Sequence, residues 1–252
     1  MRQFLPLTAL ALFGLCYSAT AQVQVKLEPL GPLKLSYGIR GGAQVTRTTS
    51  TAPGYQNVQP MYNFWGGQGG LVLDAALGWL SLQPAVVFVQ KGFRVKEEGT
   101  VQLQGTTYTD NSLVRLRLNY LEVPVNLVAT VHGVQLFAGP YLGVGLNGRY
   151  HYEFDKPVRT SEYYQTYAQA QFEQDEKVGF GKENKDAYNT YFRRLDAGYT
   201  VGLGYKTGPL QVQLSHSHGL RNSYQSPYIG FDPDTKTRGF QLNLTYFFSP
   251  AS

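Results

Sequence analysis

The sequence predicts an all-β fold, an eight-stranded antiparallel up-and-down transmembrane β-barrel, on three observations. Apolar residues recur with a period of two along most of the chain, short and long connectors alternate, and the opposite face of most strands is rich in glycine, glutamine and asparagine. The 252 residues include 28 glycines, 19 tyrosines and 14 phenylalanines, a bias toward strands and turns rather than helices.

Residues 1–21 read as an export signal peptide. Arg2 supplies the positive start, Leu5 to Leu15 the apolar core, and Ala19-Thr20-Ala21 the small-x-small cleavage site. That core is well short of the roughly 20 apolar residues a spanning helix needs. Cys16 lies within the signal segment directly behind Leu15, where lipoprotein processing requires a small residue, so lipidation is not expected. Residues 22–252 then form the barrel domain. Cys16 is the single cysteine, so neither disulfides nor cysteine-bound metal hold that domain together. The net charge of +5 is spread over strands and connectors, which argues against a nucleic-acid partner.

In the first strand Leu33, Leu35, Tyr37 and Ile39 alternate with Lys34, Ser36, Gly38 and Arg40. The second carries Trp65, Leu71, Leu73 and Leu77, and the third Leu80, Leu82, Val86 and Phe88. The fourth breaks step. Leu116, Leu118 and Tyr120 are expected to face out opposite Arg115, Arg117 and Asn119, and then the apolar set moves to Leu121, Val123, Val125 and Leu127. A one-residue bulge near Tyr120-Leu121 would restore the register and turn Glu122 inward, and Pro124 fits such an irregularity.

The fifth strand sets Val134, Leu136, Ala138, Leu142, Val144 and Leu146 against Gln135, Gly139, Gly143, Gly145 and Asn147. The sixth sets Tyr199, Val201, Leu203 and Tyr205 against Gly198, Thr200, Gly202 and Gly204. In the seventh, Leu210, Val212 and Leu214 oppose Gln211, Gln213 and Ser215; in the eighth, Phe240, Leu242, Leu244, Tyr246 and Phe248 oppose Gln241, Asn243 and Thr245. The apolar set suits acyl chains, and small or neutral polar residues suit the narrow interior of eight strands. Trp65, Trp79, Tyr120, Tyr141, Tyr150, Tyr205, Tyr246 and Phe248 fall near strand ends, where an aromatic girdle belongs.

Tight turns are expected at Gly78, His132-Gly133 and Thr207-Gly208, and long loops at 46–63, 94–112, 151–191 and 221–237. Outer-membrane barrels keep short turns on the periplasmic rim and long loops outside, which puts both chain ends in the periplasm.

The segments Tyr37-Gly38-Ile39-Arg40-Gly41-Gly42, Gln90-Lys91-Gly92, Tyr120-Leu121-Glu122-Val123-Pro124 and Gly139-Pro140-Tyr141-Leu142-Gly143 stand in a telling order. With Gly202-Leu203-Gly204-Tyr205 and Leu244-Thr245-Tyr246-Phe247-Phe248 they make the chain resemble the PorT-like outer-membrane β-barrel family of Bacteroidota. The resemblance implies a small barrel of the OmpA and OmpX type in the outer membrane of a Gram-negative cell envelope, with no agreed catalytic site. Its founding member is associated with protein secretion and gliding machinery, a role that fold-level likeness alone does not transfer. Barrel substrates of the insertion machinery often end on an aromatic residue; here Phe248 takes that part, with 249–252 as a short tail.

Arg40, Asp74, Lys91, Arg115, Arg117, Glu122, Arg149, Arg194 and Asp196 are expected to line the lumen as a charge network, because charges in a dry interior must be paired. The competing reading is a narrow pore. His216 and His218 share one face but have no evident third metal ligand, and Ser215 and Ser217 point the other way, which breaks a lipid-modifying His and Ser pair. In the stretch 151–191, Ser161-Glu162 followed by Tyr164, Tyr167, Ala168 and Phe172 has roughly helical spacing. Tyr163, Tyr164, Tyr167 and Phe172 there form the expected loop binding surface for an extracellular protein or glycan. Asp175-Glu176 and Asp232-Asp234 lack a calcium-loop pattern.

The function expected is a structural or binding scaffold, not an enzyme, that presents four extracellular loops; a link to protein secretion machinery is implied only by the PorT-like resemblance. It needs no cofactor and no metal. Its partners are outer-membrane lipid, the barrel-insertion machinery and whatever meets the loops, and the barrel is monomeric. The alternatives are a secreted soluble barrel with a small ligand inside, an outer-membrane lipid-modifying enzyme, and a narrow pore.

Overall fold

The computed structural model describes residues 31–51, 61–160, 167–181, 191–222, 224–225 and 234–248. The expected signal peptide, Cys16 and the residues after Phe248 lie outside them. The strands are β1 (Leu33–Thr51), β2 (Met61–Tyr62), β3 (Phe64–Leu77), β4 (Leu80–Leu103), β5 (Thr106–Val131) and β6 (Val134–Arg159). They continue as β7 (Tyr167–Phe180), β8 (Tyr191–Phe192), β9 (Leu195–Thr207), β10 (Leu210–Gly219), β11 (Tyr224–Gln225) and β12 (Asp234–Phe248). Eight close an antiparallel ring in the order β1, β3, β4, β5, β6, β9, β10, β12 and back to β1.

Each wall strand shows the two faces its alternation demands. On β12, Phe240, Leu242, Leu244 and Tyr246 are exposed while Gln241, Asn243 and Thr245 are buried. The same holds on β10, where Gln211, Gln213 and Ser215 are buried between exposed Leu210, Val212 and Leu214. A continuous apolar exterior around a polar interior inverts the arrangement of a water-soluble protein and fits a lipid solvent. The hairpin turns carry the required backbone signs. Gly78 and Gly208 have φ of 63° and 54° in the first turn position, and His132-Gly133 has φ of 51° and 84° in the two-residue form that matches strand twist.

The fourth predicted strand differs from expectation. Leu116, Leu118 and Tyr120 face inward and are buried, and Arg115 and Arg117 face outward. The inward set runs unbroken along β5 through Glu122, Asn126 and Val128. The bulge lies beside Tyr120 but on the partner strand: Asn119 pairs with Asn147 and Tyr120 with Gly145, so Leu146 is the extra residue. Below it Tyr141, Gly143 and Gly145 point inward; above it Tyr150 does. Tyr120, Tyr141 and Tyr150 therefore leave the expected aromatic girdle and fill the interior, while Trp65, Tyr205, Tyr246 and Phe248 stay on the exterior.

Two expected loops are strands. The stretch 94–112 is a continuous hairpin of β4 and β5 that turns at Gln104-Gly105, φ 52° and 79°. In 151–191, β6 runs on to Arg159 and β7 pairs back along it from Arg159↔Tyr167 to Gly148↔Val178. Tyr167 to Phe172 are extended, so the expected helix does not form over them.

The ring closes where β1 meets β12, from Tyr37↔Phe248 to Thr51↔Asp234. The Tyr37 and Phe248 rings stack at 5.5 Å, and Phe247 is buried with Lys206 Nζ 4.4 Å from its ring. Ending the chain at Tyr246 removes these last rungs of the seam. The truncated protein is expected to lose most of its heat-modifiable folded band in outer-membrane fractions; an undiminished band would overturn the part given to Phe248.

Candidate functional site: a filled lumen and a projecting sheet

The lower lumen is a lattice of amides bridged by charge. Lys206 Nζ lies 2.6 Å from Asp74 Oδ2, and Gln83 Nε2 donates to Asp74 Oδ1 at 3.2 Å and to Gln211 Oε1 at 3.2 Å. One layer higher, Arg40 donates to Thr245 Oγ1 at 3.1 Å and Gln213 Oε1 at 3.0 Å. Above it, Gln241 donates to Gln44 Oε1 at 3.3 Å, and Gln44 donates to the Gln90 carbonyl at 2.6 Å. Between Arg40, Glu122, Tyr141 and Asn243 lies a polar cavity of about 20 Å³, room for about one water.

The centre is held by Lys91 of β4. Its Nζ sits 2.8 Å from Asp196 Oδ2 of β9 and 2.5 Å from Glu122 Oε1 of β5, with all three side chains buried. The Glu122 contact is an ion pair between buried groups. The rings of Tyr141 and Tyr120 lie 4.5 Å and 5.7 Å from the ammonium and add their π faces. Arg40, Lys91 and Lys206 thus equal Asp74, Glu122 and Asp196 in number, with the two lysines paired to the acids and Arg40 held by neutral oxygens.

Above the ion cluster the interior turns apolar. Leu116, Leu118, Tyr120, Tyr150, Val178 and Phe192 form one buried cluster, with Phe93, Val114, Tyr152 and Phe180 against it. Phe180, at the end of β7, meets the Tyr120 ring edge-on at 5.5 Å. It passes so close to β6 that a Cβ on Gly145 would come within 2.3 Å of its ring, so that position needs glycine.

Of the nine residues expected to line the lumen, Arg40, Asp74, Lys91, Glu122 and Asp196 are buried within it. Arg115, Arg117, Arg149 and Arg194 are exposed instead, the first two because β5 keeps its apolar set inside and Arg149 because the Leu146 bulge reverses β6. Sequence reading missed Lys206, although it shares the inward parity of Thr200 and Gly204. It also missed Val178 and Phe192, which follow no barrel-strand pattern.

Past the ring, β4, β5, β6 and β7 continue side by side as a four-stranded sheet. His151 ties it together: Nδ1 lies 2.9 Å from Asp175 Oδ1 of β7 and Nε2 2.9 Å from Glu153 Oε1, which also meets Arg115 at 3.0 Å. Arg149 reaches Asp175 Oδ2 at 3.4 Å. Of the expected binding surface, Tyr167 is half-buried with the carbonyl of its backbone accepting from Tyr108 Oη at 3.1 Å, and Phe172 is exposed. Tyr163 and Tyr164 lie outside the described residues.

His216 and His218 sit on the outer wall, half-buried against aromatic rings, His216 edge-on to Phe240 at 5.0 Å and His218 stacked on Tyr199 at 5.4 Å. Ser215 and Ser217 are buried on the opposite face. Among the described residues no group of histidine, cysteine, aspartate and glutamate is placed to hold a metal.

The family model described as outer membrane protein beta-barrel domain matches residues 20–225, and the chain belongs to that family. Among solved structures, Neisserial surface protein A is similar at 8% identity, covering 84% of this chain and 97% of that one with a TM-score of 0.42. Ail, the attachment invasion locus protein of Yersinia pestis, is similar at 10% identity, covering 85% and 99%, with a TM-score of 0.37. No curated protein sequence matches.

Removing Lys91 leaves two buried carboxylates facing each other. Lys91→Met is expected to destabilise the folded barrel by about 3–5 kcal/mol in urea unfolding from lipid vesicles. Lys91→Met/Glu122→Gln/Asp196→Asn should recover most of that, and equal losses for both variants would show that packing, not charge, sets the cost.

The Asp175 and Glu153 carboxylates raise the His151 pKa above its ordinary value, Asp175 most. A raised value in the folded state means that this link is in force below the ordinary imidazole range and is lost as pH climbs through the raised value. Amide exchange along β7, corrected for intrinsic pH dependence, is expected to quicken from mildly acidic to mildly alkaline pH, and His151→Gln should remove that step.

Proposed function

We propose, with membership of the outer-membrane β-barrel family as the premise, that this protein is a display scaffold whose sealed barrel holds the β4–β7 sheet outside the cell for a protein partner. The observation that carries the reading is strand length. β4 has 24 residues and β5 and β6 have 26 each, more than twice the roughly 9–11 that cross the apolar band. The excess is built as ordered sheet, so a partner meets a pre-formed surface.

That surface has a usable edge. Among the described residues, β7 from Tyr167 to Val178 pairs with β6 on one side and with no strand on the other. A free strand edge is a template for an added strand, and Gln169, Gln171, Glu173, Gln174, Asp175 and Glu176 keep it polar enough to avoid uncontrolled aggregation. The alternatives lack such support. A soluble carrier would not clothe its exterior in exposed leucine and phenylalanine, the lumen is filled rather than open, and no serine faces a histidine across the wall. Service to protein secretion, as the PorT-like resemblance implies, is the finer form of this proposal, with an extracellular secretion component as the added strand.

A Gln171→Cys variant is expected to react with a membrane-impermeant maleimide in intact cells, while Thr207→Cys reacts only after lysis. Disulfide or bifunctional cross-links from that cysteine should reach one defined surface protein, and Glu173→Pro should abolish them at unchanged membrane levels. Failure of Gln171→Cys to label in intact cells would overturn the proposal.

A further inference from the structure

The outer wall carries a charge arrangement that the scaffold reading does not use. On the face turned to lipid, the upper end of the apolar wall at one side is the row Trp65, Val45, Phe240 and His216, neighbours across β3, β1, β12 and β10. Trp65 and Phe240 are 66% and 61% exposed. One outward-facing position further from the tight turns, Arg47 of β1 stands directly opposite Arg238 of β12, and Arg238 stands opposite His218 of β10. Thr46 and Thr48 are buried, which fixes Arg47 on the outside.

Like charges directly opposite across strands repel. Where arginines face each other elsewhere on the exterior, Arg94 with Arg115 and Arg117 with Arg149, one member of each pair meets an acid: Arg115 meets Glu153 at 3.0 Å, and Arg149 meets Asp175 at 3.4 Å. Among the described residues neither Arg47 nor Arg238 meets a carboxylate. Two arginines directly opposite each other, at the upper limit of an acyl-chain wall and beside a histidine, offer donors that match the oxygens of a phosphate. The anion would sit where the wall changes from apolar to charged, which is where a lipid headgroup lies.

We propose that Arg47 and Arg238, with His218 beside them, clamp a phosphate of the phosphorylated glycolipid of the outer leaflet, whose acyl chains lie along Val45, Phe240 and Trp65. The choice of leaflet rests on the orientation proposed above. Labelling in cells tests that orientation and lipid binding in vitro tests the clamp, so the two can fail separately.

The test uses the full barrel folded into phosphatidylcholine nanodiscs and titrated with bis-phosphorylated lipid A, enzymatically dephosphorylated lipid A and phosphatidylglycerol, with retained lipid counted by native mass spectrometry. The wild type should hold bis-phosphorylated lipid A about tenfold more tightly than the dephosphorylated form. Arg47→Gln/Arg238→Gln should lose that preference, and Arg47→Lys/Arg238→Lys should keep part of it. Equal retention of the two lipid A forms by the wild type would overturn the clamp, as would an undiminished preference in the folded glutamine variant. Phosphatidylglycerol held as tightly as bis-phosphorylated lipid A would overturn the glycolipid assignment. Should the glutamine variant not fold, the wild-type comparison alone decides.

Discussion

In the acyl core of a membrane there is no water to accept a backbone N–H or to donate to a carbonyl, so a strand survives there only with a partner on each side. Everything else in this protein depends on that constraint. It forces β1 back onto β12, and it makes the apolar exterior and the polar interior consequences of one closure. It also confines free strand edges to chain outside the acyl core, and among the described residues β7 carries such an edge.

The interior solves a second problem created by the first. Eight strands leave a bore too narrow for bulk water and too polar to be dry by default. Amides and hydroxyls share the filling with valine and aromatic side chains, and most of the charge enters as ion-paired sets: Lys206 with Asp74, and Lys91 with Glu122 and Asp196. Arg40, which meets neutral oxygens, borders the polar cavity, where one water can share the load. The closed bore and the projecting sheet meet at Tyr120, whose ring touches the Lys91 site below and Phe180 above.

The parts of this design visible in sequence are those where the two faces of a strand differ in chemistry. On β9, β10 and β12 leucine, tyrosine and phenylalanine alternate with glycine, glutamine and threonine, and both sides can be assigned at once. On β5 the alternation of Leu116, Leu118 and Tyr120 with Arg115 and Arg117 is just as sharp, yet it does not say which side is the lumen. Above the ion cluster the apolar set lies inside, and the sequence has no mark for that height. The outer parts of β4, β6 and β7 look like loops in the sequence because Gln102, Glu153, Gln169 and Gln171 meet water or other polar groups on either face and no contrast survives. Lys91, Glu122 and Asp196 come from three strands, so their polarity was legible and their meeting was not.

The Leu146 bulge has a mechanical meaning. Because β6 reverses its faces there, β7 does more than lie against the strand it pairs with: its last residues, Val178 and Phe180, dip into the mouth of the barrel and pack on Tyr120. A pull on the tip of β7 would peel rungs one at a time, starting at Arg159↔Tyr167. The tension ends at Phe180, an aromatic stop seated over the ion cluster, so the load is spent in water and at the plug before it reaches the ladder that the lipid requires to stay whole.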